Sequence, residues 1–123
     1  KIYFMLMDYL DVISLEGCPY SNAAENLLSS NNINFKLTKV KYNEREMHKN
    51  EEISTFPQIY LKKKNSKGKL LIGGFDNINN LFNILGSSTD LNKISNDFGK
   101  NLGDTFNKKT VLRLIELFTT KKR

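Results

Sequence analysis

Apolar and polar residues alternate in a way that predicts strands and helices in turn along the first half of the chain. Residues 10–15 alternate as in a strand, and residues 23–29 have the composition of a helix. Residues 33–42 alternate with period two, which indicates a second strand with one exposed face. Residues 43–52 are polar and rich in helix formers, so they predict a short surface helix capped by Asn43. A strand, a helix and a second strand in this order favour a parallel pair.

The next part of the pattern predicts a hairpin followed by a helix. Residues 58–62 and 70–72 flank a lysine-rich tip, which is typical of two antiparallel strands. Asp76 and Asn77 are residue types that cap helices, and apolar residues follow them at helical spacing over residues 78–85. The order β-α-β-α-β-β-α therefore predicts an α/β fold, with a four-stranded mixed sheet flanked by helices.

Further helices are predicted towards the C-terminus. Residues 88–98 favour a weak helix and residues 108–119 a clear amphipathic helix. We expect the apolar side of the second helix to be buried, because so much apolar surface in water would invite aggregation. The residues expected to be buried are Val111, Leu112, Ile115 and Phe118. The chain is divided accordingly into an N-terminal extension (1–8), a core (9–87) and a C-terminal helical extension packed on it (88–123).

Composition narrows the classes of function. The formal net charge is +6, but the lysines are spread out except at the predicted hairpin tip. Because no aromatic-basic stacking pattern accompanies them, we expect no nucleic-acid partner. No run approaches the roughly 20 apolar residues that span a bilayer, so we expect no membrane partner and no targeting segment. One cysteine and one histidine exclude an internal disulfide and disfavour a zinc site built by this chain alone. We expect the protein in a reducing intracellular compartment. The cytoplasm is the first expectation, and an organelle is the alternative.

The single cysteine, Cys18, stands where a thiolate is stabilised. It lies between the first predicted strand and the first helix, in the segment GCPYS at residues 17–21. Pro19 suits the first turn of a helix, so Cys18 is placed at the helix N-terminus, where free N–H groups and the helix dipole favour an anion. A lone cysteine is more often an inert buried residue, but these neighbours make a poor core segment. We therefore expect a reactive thiolate, which is the nucleophile of thiol chemistry.

Three separated segments resemble the glutaredoxins, a family with the thioredoxin fold. Residues 17–21 (GCPYS) are similar to the family's CPYC turn, residues 55–60 (TFPQIY) to its TVPQ(V/I)F stretch, and residues 72–77 (IGGFDN) to its IGG(C/F/Y)DD turn. Each match alone is a weak signal, but all three occur in the family's order and on the corresponding side of each predicted strand. The resemblance covers about residues 9–87 and implies a thioredoxin-like fold with extra C-terminal helices.

The resemblance also implies a glutathione site around Cys18. In the family the proline of the second segment is cis and exposes the backbone of the preceding residue, here Phe56, to a peptide-like ligand. The helix start at residues 75–77 offers N–H groups to a carboxylate, while Asp76 can meet an ammonium group. Catalysis is assigned to Cys18, and glutathione binding to Tyr20, Ser21, Phe56, Pro57, Gly74, Phe75, Asp76 and Asn77.

The sequence departs from the family pattern in three places. Ser21 replaces the second cysteine, so Cys18 cannot form an internal disulfide and the site is of the monothiol type. Leu15 and Glu16 stand where the family often has a cation, and a carboxylate near the sulfur disfavours the thiolate. Asn77 replaces an expected acid, which weakens the binding of an ammonium group.

We predict a monothiol glutaredoxin-like thiol–disulfide oxidoreductase that reduces glutathione mixed disulfides through Cys18. Glutathione is its cosubstrate, and glutathionylated proteins are its partners. Two alternatives stay open. One is an iron–sulfur carrier, in which Cys18 and a glutathione from each of two protomers hold a [2Fe–2S] cluster in a homodimer. The other is a non-catalytic adaptor of the thioredoxin fold.

Overall fold

The computed structural model describes residues 8–120, and these residues follow the predicted order of strands and helices. In chain order the elements are β1 (Asp8–Leu15), α1 (Pro19–Ser30), β2 (Phe35–Val40), a 3₁₀ helix (Tyr42–His48), β3 (Gln58–Lys63), β4 (Lys69–Gly73), α2 (Phe75–Ser87), α3 (Leu91–Leu102) and α4 (Lys108–Thr119). The predicted N-terminal extension lies outside the described residues, apart from Asp8, which begins β1.

The sheet has the strand order β2-β1-β3-β4, with β1 and β3 as its inner strands. β1 and β2 are parallel, and Leu10 pairs with Phe35. β1 and β3 are antiparallel, and Val12 pairs with Ile59; β3 and β4 are antiparallel as well. The helix α1 crosses between the two parallel strands, while the hairpin supplies the antiparallel pair. The predicted α/β fold with a four-stranded mixed sheet is therefore confirmed.

One hydrophobic core joins the sheet to the helices. Burial alternates along β1, and its inward residues Leu10 and Val12 are fully buried. They belong to the same cluster as Leu28 of α1 and Leu81 of α2. Because truncation of such residues leaves a cavity, a change of Leu10 to alanine costs about 2–5 kcal/mol. This packing holds the N-terminal ends of α1 and α2 in place beside the sheet.

The helices α3 and α4 extend the same core. Phe98 of α3 is fully buried, and the ring of Phe118 in α4 stacks on Phe82 of α2 with centroids 4.8 Å apart. Val111, Ile115 and Phe118 are buried as predicted. The prediction for Leu112 was wrong, because it is 38% exposed. Leu112 lies about 100° around the helix from Val111, on the outer edge of the buried stripe.

An ion pair ties α4 to the start of the sheet. The guanidinium of Arg113 donates from Nε to Oδ2 of Asp8 at 3.1 Å and from Nη2 to Oδ1. The Asp8 side chain is only 11% exposed. The hydrogen bond to this carboxylate raises the pKa of Arg113 above its ordinary value. The C-terminal helix is thus attached by a bidentate charge pair as well as by apolar contacts.

The polar segment after β2 differs from the prediction. Residues 43–52 were expected to form a short surface helix capped by Asn43, and the structure has a shorter 3₁₀ helix over Tyr42–His48 with Lys41 as its N-cap. No residue of this helix is buried. Helices of this length draw most of their stability from packing an apolar face, and this segment has none to pack. A short 3₁₀ turn is the result.

Candidate active site

A tight turn carries the chain from β1 to Cys18. The N–H of Cys18 donates to the carbonyl of Leu15 at 3.1 Å, and the third residue of this turn, Gly17, has a φ of 76°. A positive φ at this turn position favours glycine. The N–H of Glu16 donates to the carbonyl of Val40 at 2.8 Å, which ties the turn to the end of β2. The backbone that presents Cys18 is therefore fixed on two sides.

Cys18 is the N-cap of α1, and Pro19 is the first residue of that helix, as predicted. The carbonyl of Cys18 accepts from the N–H of Asn22 at 3.0 Å, which is the first hydrogen bond of the helix. The side chain of Cys18 makes no capping hydrogen bond at this end, and the first turn of α1 carries no acidic residue. Cys18 is partly exposed and stands beside the N–H groups that the first turn of a helix leaves unpaired.

The loop before β3 faces the sulfur. The Phe56–Pro57 peptide bond is cis, as predicted. The Sγ of Cys18 lies 3.9 Å from the carbonyl oxygen of Phe56, to which the thiol donates a weak hydrogen bond. The backbone of Phe56 thus lies beside Cys18, although 38 positions separate the two residues in the chain.

The turn from β4 into α2 lies next to this loop. Gly74 is the N-cap of α2, and its N–H donates to Oδ1 of Asn77 at 2.9 Å. A Cβ on Gly74 would lie 3.5 Å from the carbonyl oxygen of Pro57, in ordinary contact. Gly73 has a φ of 136°, and a Cβ there would collide with the side chain of Asn77. The turn therefore requires glycine at position 73, and the side-chain oxygen of Asn77 is engaged in capping the helix.

Two aromatic rings lie beside the starts of α1 and α2. The centroids of Tyr20 and Phe75 are 6.4 Å apart with an interplanar angle of 42°. Tyr20 is 61% exposed, and Asp76, in the first turn of α2, is exposed as well. The rings give the site an apolar side, and Asp76 gives it an exposed carboxylate.

Ser21 lies behind the site rather than in it. Its side chain is fully buried, and Oγ accepts a hydrogen bond from the N–H of Leu15 at 3.0 Å. The recorded contacts join Cys18 to Phe56, Pro57 to Gly74 and Tyr20 to Phe75, and so bring the start of α1, the loop before β3 and the start of α2 together. The hydroxyl of Ser21 is committed to the backbone of the turn.

A second polar contact behind the turn was missed by the sequence analysis. The hydroxyl of Ser14, which is fully buried in β1, donates to the carboxylate of Glu25 in α1. The ammonium of Lys39 lies 3.3 Å from the same carboxylate. This contact links α1 to both parallel strands. It depends on the pairing of Ser14 with Lys39, and a local pattern carries no signal for that pairing.

Residues 8–120 contain no group of three or more His, Cys, Asp or Glu side chains placed to hold a metal ion. Cys18 is the single thiol of the chain, so an iron–sulfur cluster would need its other thiolates from a second copy and from glutathione. Over the same residues, no helix has both the length and the apolar character needed to cross a membrane.

Comparison with known proteins defines the class of fold and then the family. The chain is similar to glutaredoxin 1 from Francisella tularensis, solved in complex with cacodylate, with 25% identity and a TM-score of 0.51. That match covers 66% of this chain and 99% of the other, so the fold is thioredoxin-like with extra C-terminal helices. The glutaredoxin family model matches residues 2–65, just over half of the chain, while no curated protein matches. The chain belongs to the glutaredoxin family, and its family and fold support a thiol–disulfide oxidoreductase.

Proposed function

We propose that this protein is a monothiol glutaredoxin that reduces glutathione mixed disulfides through Cys18. The observation that carries the proposal is the placement of Cys18 at the uncapped N-terminus of α1, partly exposed and 3.9 Å from the backbone of Phe56. A helix N-terminus stabilises the thiolate that attacks a disulfide.

The exchange takes two steps. The Cys18 thiolate attacks the glutathione sulfur of the mixed disulfide, a Cys18–glutathione disulfide forms, and the substrate leaves as a thiolate that takes up a proton. The thiolate of a second glutathione then attacks the glutathione sulfur bound to Cys18. Cys18 returns as a thiolate and glutathione disulfide leaves. The two electrons that reduced the substrate sulfur come from the second glutathione, whose own sulfur ends in that disulfide. Because the second thiol comes from solution, the reaction does not need a cysteine at position 21.

The surroundings of Cys18 suit glutathione. The backbone of Phe56 can pair with the peptide-like part of the ligand, as a neighbouring strand would. The N–H groups of Phe75 and Asp76, in the first turn of α2, can bind the carboxylate of the γ-glutamyl group, and the Asp76 side chain can bind its ammonium group. Tyr20 supplies an apolar side to the same ligand. Use of glutathione and of glutathionylated proteins fits a reducing intracellular compartment.

Turnover of a glutathionylated peptide tests the proposal, with excess glutathione, glutathione reductase and NADPH. The wild-type protein is expected to reduce the peptide and Cys18→Ser to be inactive, because an alcohol stays protonated at neutral pH. A protein that shows no turnover, but gains visible absorption after anaerobic reconstitution with iron, sulfide and glutathione, would instead be a cluster carrier. A protein that shows neither property would be an adaptor.

A further inference from the structure

The loop that carries Phe56 has little apolar attachment to the sheet. It spans residues 41–57 between β2 and β3, and its 3₁₀ helix has no buried residue. Tyr42 is 61% exposed and Met47 is 79% exposed, so its large apolar side chains do not reach the core. Within residues 41–57, Pro57 alone is buried. Besides the buried Pro57, polar contacts are therefore the main attachments that can hold Phe56 beside Cys18.

A buried amide beneath the loop supplies such a contact. Gln58, the first residue of β3, is fully buried, and its Nε2 donates to the carbonyl of His48 at 2.8 Å. Its Oε1 accepts from the hydroxyl of Tyr60 at 3.5 Å. That hydroxyl in turn accepts from Nδ2 of Asn50 at 3.4 Å. Gln58, Tyr60 and Asn50 form a chain of hydrogen bonds, here named the polar anchor, in which the short bond to His48 is the strongest.

Asn50 extends the polar anchor towards Phe56. Its Oδ1 accepts from the N–H groups of Glu52 at 2.9 Å and Ile53 at 3.1 Å. Its own N–H donates to the carbonyl of Ile53 at 2.9 Å, which closes a tight turn. Two residues then separate Ile53 from Phe56. The loop is thus fixed on both sides of Phe56, by this turn before it and by the buried side chain of Gln58 two residues after it.

We propose that Gln58 is a positioning residue for the exchange reaction. Through the carbonyl of His48 and through Asn50, it sets the place of the Phe56 backbone that receives glutathione. The inference rests on the proposed function and names the side chain that holds the glutathione-binding backbone of Phe56 in place. Gln58 takes no part in the chemistry, because Cys18 is presented by a separate turn tied to β2. Loss of the polar anchor is therefore expected to weaken substrate binding more than it slows the chemical step.

Two substitutions of Gln58 separate positioning from general stability. Gln58→Leu keeps the approximate size of the side chain and removes the donor. Gln58→Glu cannot donate to His48 when it is ionised and regains a donor when it is protonated. Gln58→Leu is expected at neutral pH to raise KM for a glutathionylated peptide about fivefold, the factor that corresponds to one lost hydrogen bond, with kcat nearly unchanged. Burial raises the pKa of a carboxyl group at this position, so Gln58→Glu is expected to show the same rise in KM only at pH values above that raised pKa. As the pH falls, the KM of Gln58→Glu should approach the wild-type value at the same pH, while that of Gln58→Leu should not.

Ile94→Val is the matched control, because Ile94 is buried in α3 and lies outside the loop. It is expected to lower the melting temperature and to keep the wild-type KM. Amide hydrogen exchange over residues 50–56 gives a second measurement, independent of activity, and should accelerate in Gln58→Leu alone. If Gln58→Leu does not fold, Tyr60→Phe decides the matter: it keeps the ring, removes the hydroxyl, and should raise KM about twofold, as a weak hydrogen bond would.

The outcomes distinguish this inference from the proposed function. A folded Gln58→Leu with wild-type KM and wild-type exchange over residues 50–56 would overturn the positioning role, while the function would stand. An unchanged KM in Tyr60→Phe would overturn it in the same way when Gln58→Leu fails to fold. If the wild-type protein reduces no glutathionylated peptide while Gln58→Leu exchanges faster over the loop, the function fails and the anchoring of the loop stands.

Discussion

The hydroxyl of Ser21 accepts a hydrogen bond from the N–H of Leu15 at 3.0 Å, from a fully buried position. Ser21 occupies the position of the second cysteine of the family's dithiol members. In this chain its side chain closes the turn that presents Cys18, by joining the end of β1 to the first turn of α1. The residue that stands in place of a second thiol is therefore also part of the framework that holds Cys18.

Ser21→Ala should lower stability more than activity. The substitution leaves the N–H of Leu15 without its partner, and a buried donor of this kind costs about 1–3 kcal/mol. Urea unfolding gives this loss directly, and kcat/KM should fall by no more than about fivefold, the equivalent of one hydrogen bond. Ser30→Ala is the control at the other end of α1, because its exposed hydroxyl bonds to Leu27 and should contribute little. Equal stability of the two variants would show that the Ser21 contact is dispensable.

Ser21→Cys should convert the site to a dithiol. The new thiol would lie in the first turn of α1, three residues after Cys18, and oxidation should join the two sulfurs within one chain. A thiol titration should find two free thiols in the reduced variant and none in the oxidised monomer. The wild-type protein, treated in the same way, keeps its single thiol unless it couples to another molecule. An oxidised variant that forms only disulfide-linked dimers would contradict this prediction.

Substitution of two nearby leucines in α4 tests which side of the helix is buried. Leu114 is fully buried in the core, whereas Leu112 is 38% exposed. Leu114→Ala should cost about 2–5 kcal/mol in the free energy of unfolding, because it leaves a cavity, and Leu112→Ala should cost less than about 1 kcal/mol. The two substitutions remove the same atoms from the same helix, so the difference reports burial alone. Equal costs would mean that α4 does not pack as described.

The Asp8–Arg113 pair should contribute to stability throughout neutral and mildly alkaline pH. Arg113→Ala leaves the mostly buried carboxylate of Asp8 without its partner, and we expect a loss of about 1–3 kcal/mol after allowance for partial exposure. The pKa of Arg113 is raised by its hydrogen bond to Asp8, so the folded state favours the charged form. The contribution is thus complete below the ordinary pKa of arginine and is lost only when the pH rises through the raised value. Chemical unfolding of both proteins at pH 7 and pH 9 should give the same difference.

Lys93→Ala is the control for that measurement. Lys93 forms an i,i+4 pair with Asp97 on the surface of α3, and its side chain is 58% exposed. Such pairs contribute about 0.5 kcal/mol or less. An Arg113→Ala protein as stable as Lys93→Ala would show that the bidentate pair does not hold α4 to the sheet.

The periodicity of the sequence was sufficient to predict the sheet, and three short segments were sufficient to identify the family. Leu10 and Val12 alternate with polar or half-buried neighbours, and a residue pattern of that kind is visible within a few positions. The cis bond before Pro57 was accessible only through the resemblance. The contacts of Ser21 and Gln58 were not predictable, because each joins a side chain to a backbone group whose position depends on the folded loops. The 3₁₀ helix was missed because a polar run offers no signal to separate it from an α-helix.

The most direct test of the proposed function is to trap the intermediate on Cys18. Incubation of the reduced protein with a glutathionylated peptide, acid quenching and peptide mass spectrometry should find one glutathionyl group on the tryptic peptide that contains Cys18, and free peptide thiol in equal amount. Added glutathione should remove the group and yield glutathione disulfide. Transfer is expected across a range from about pH 6 to pH 9, which spans lowered and ordinary thiol pKa values in proteins. A protein whose Cys18 acquires no glutathione anywhere in that range would contradict the account.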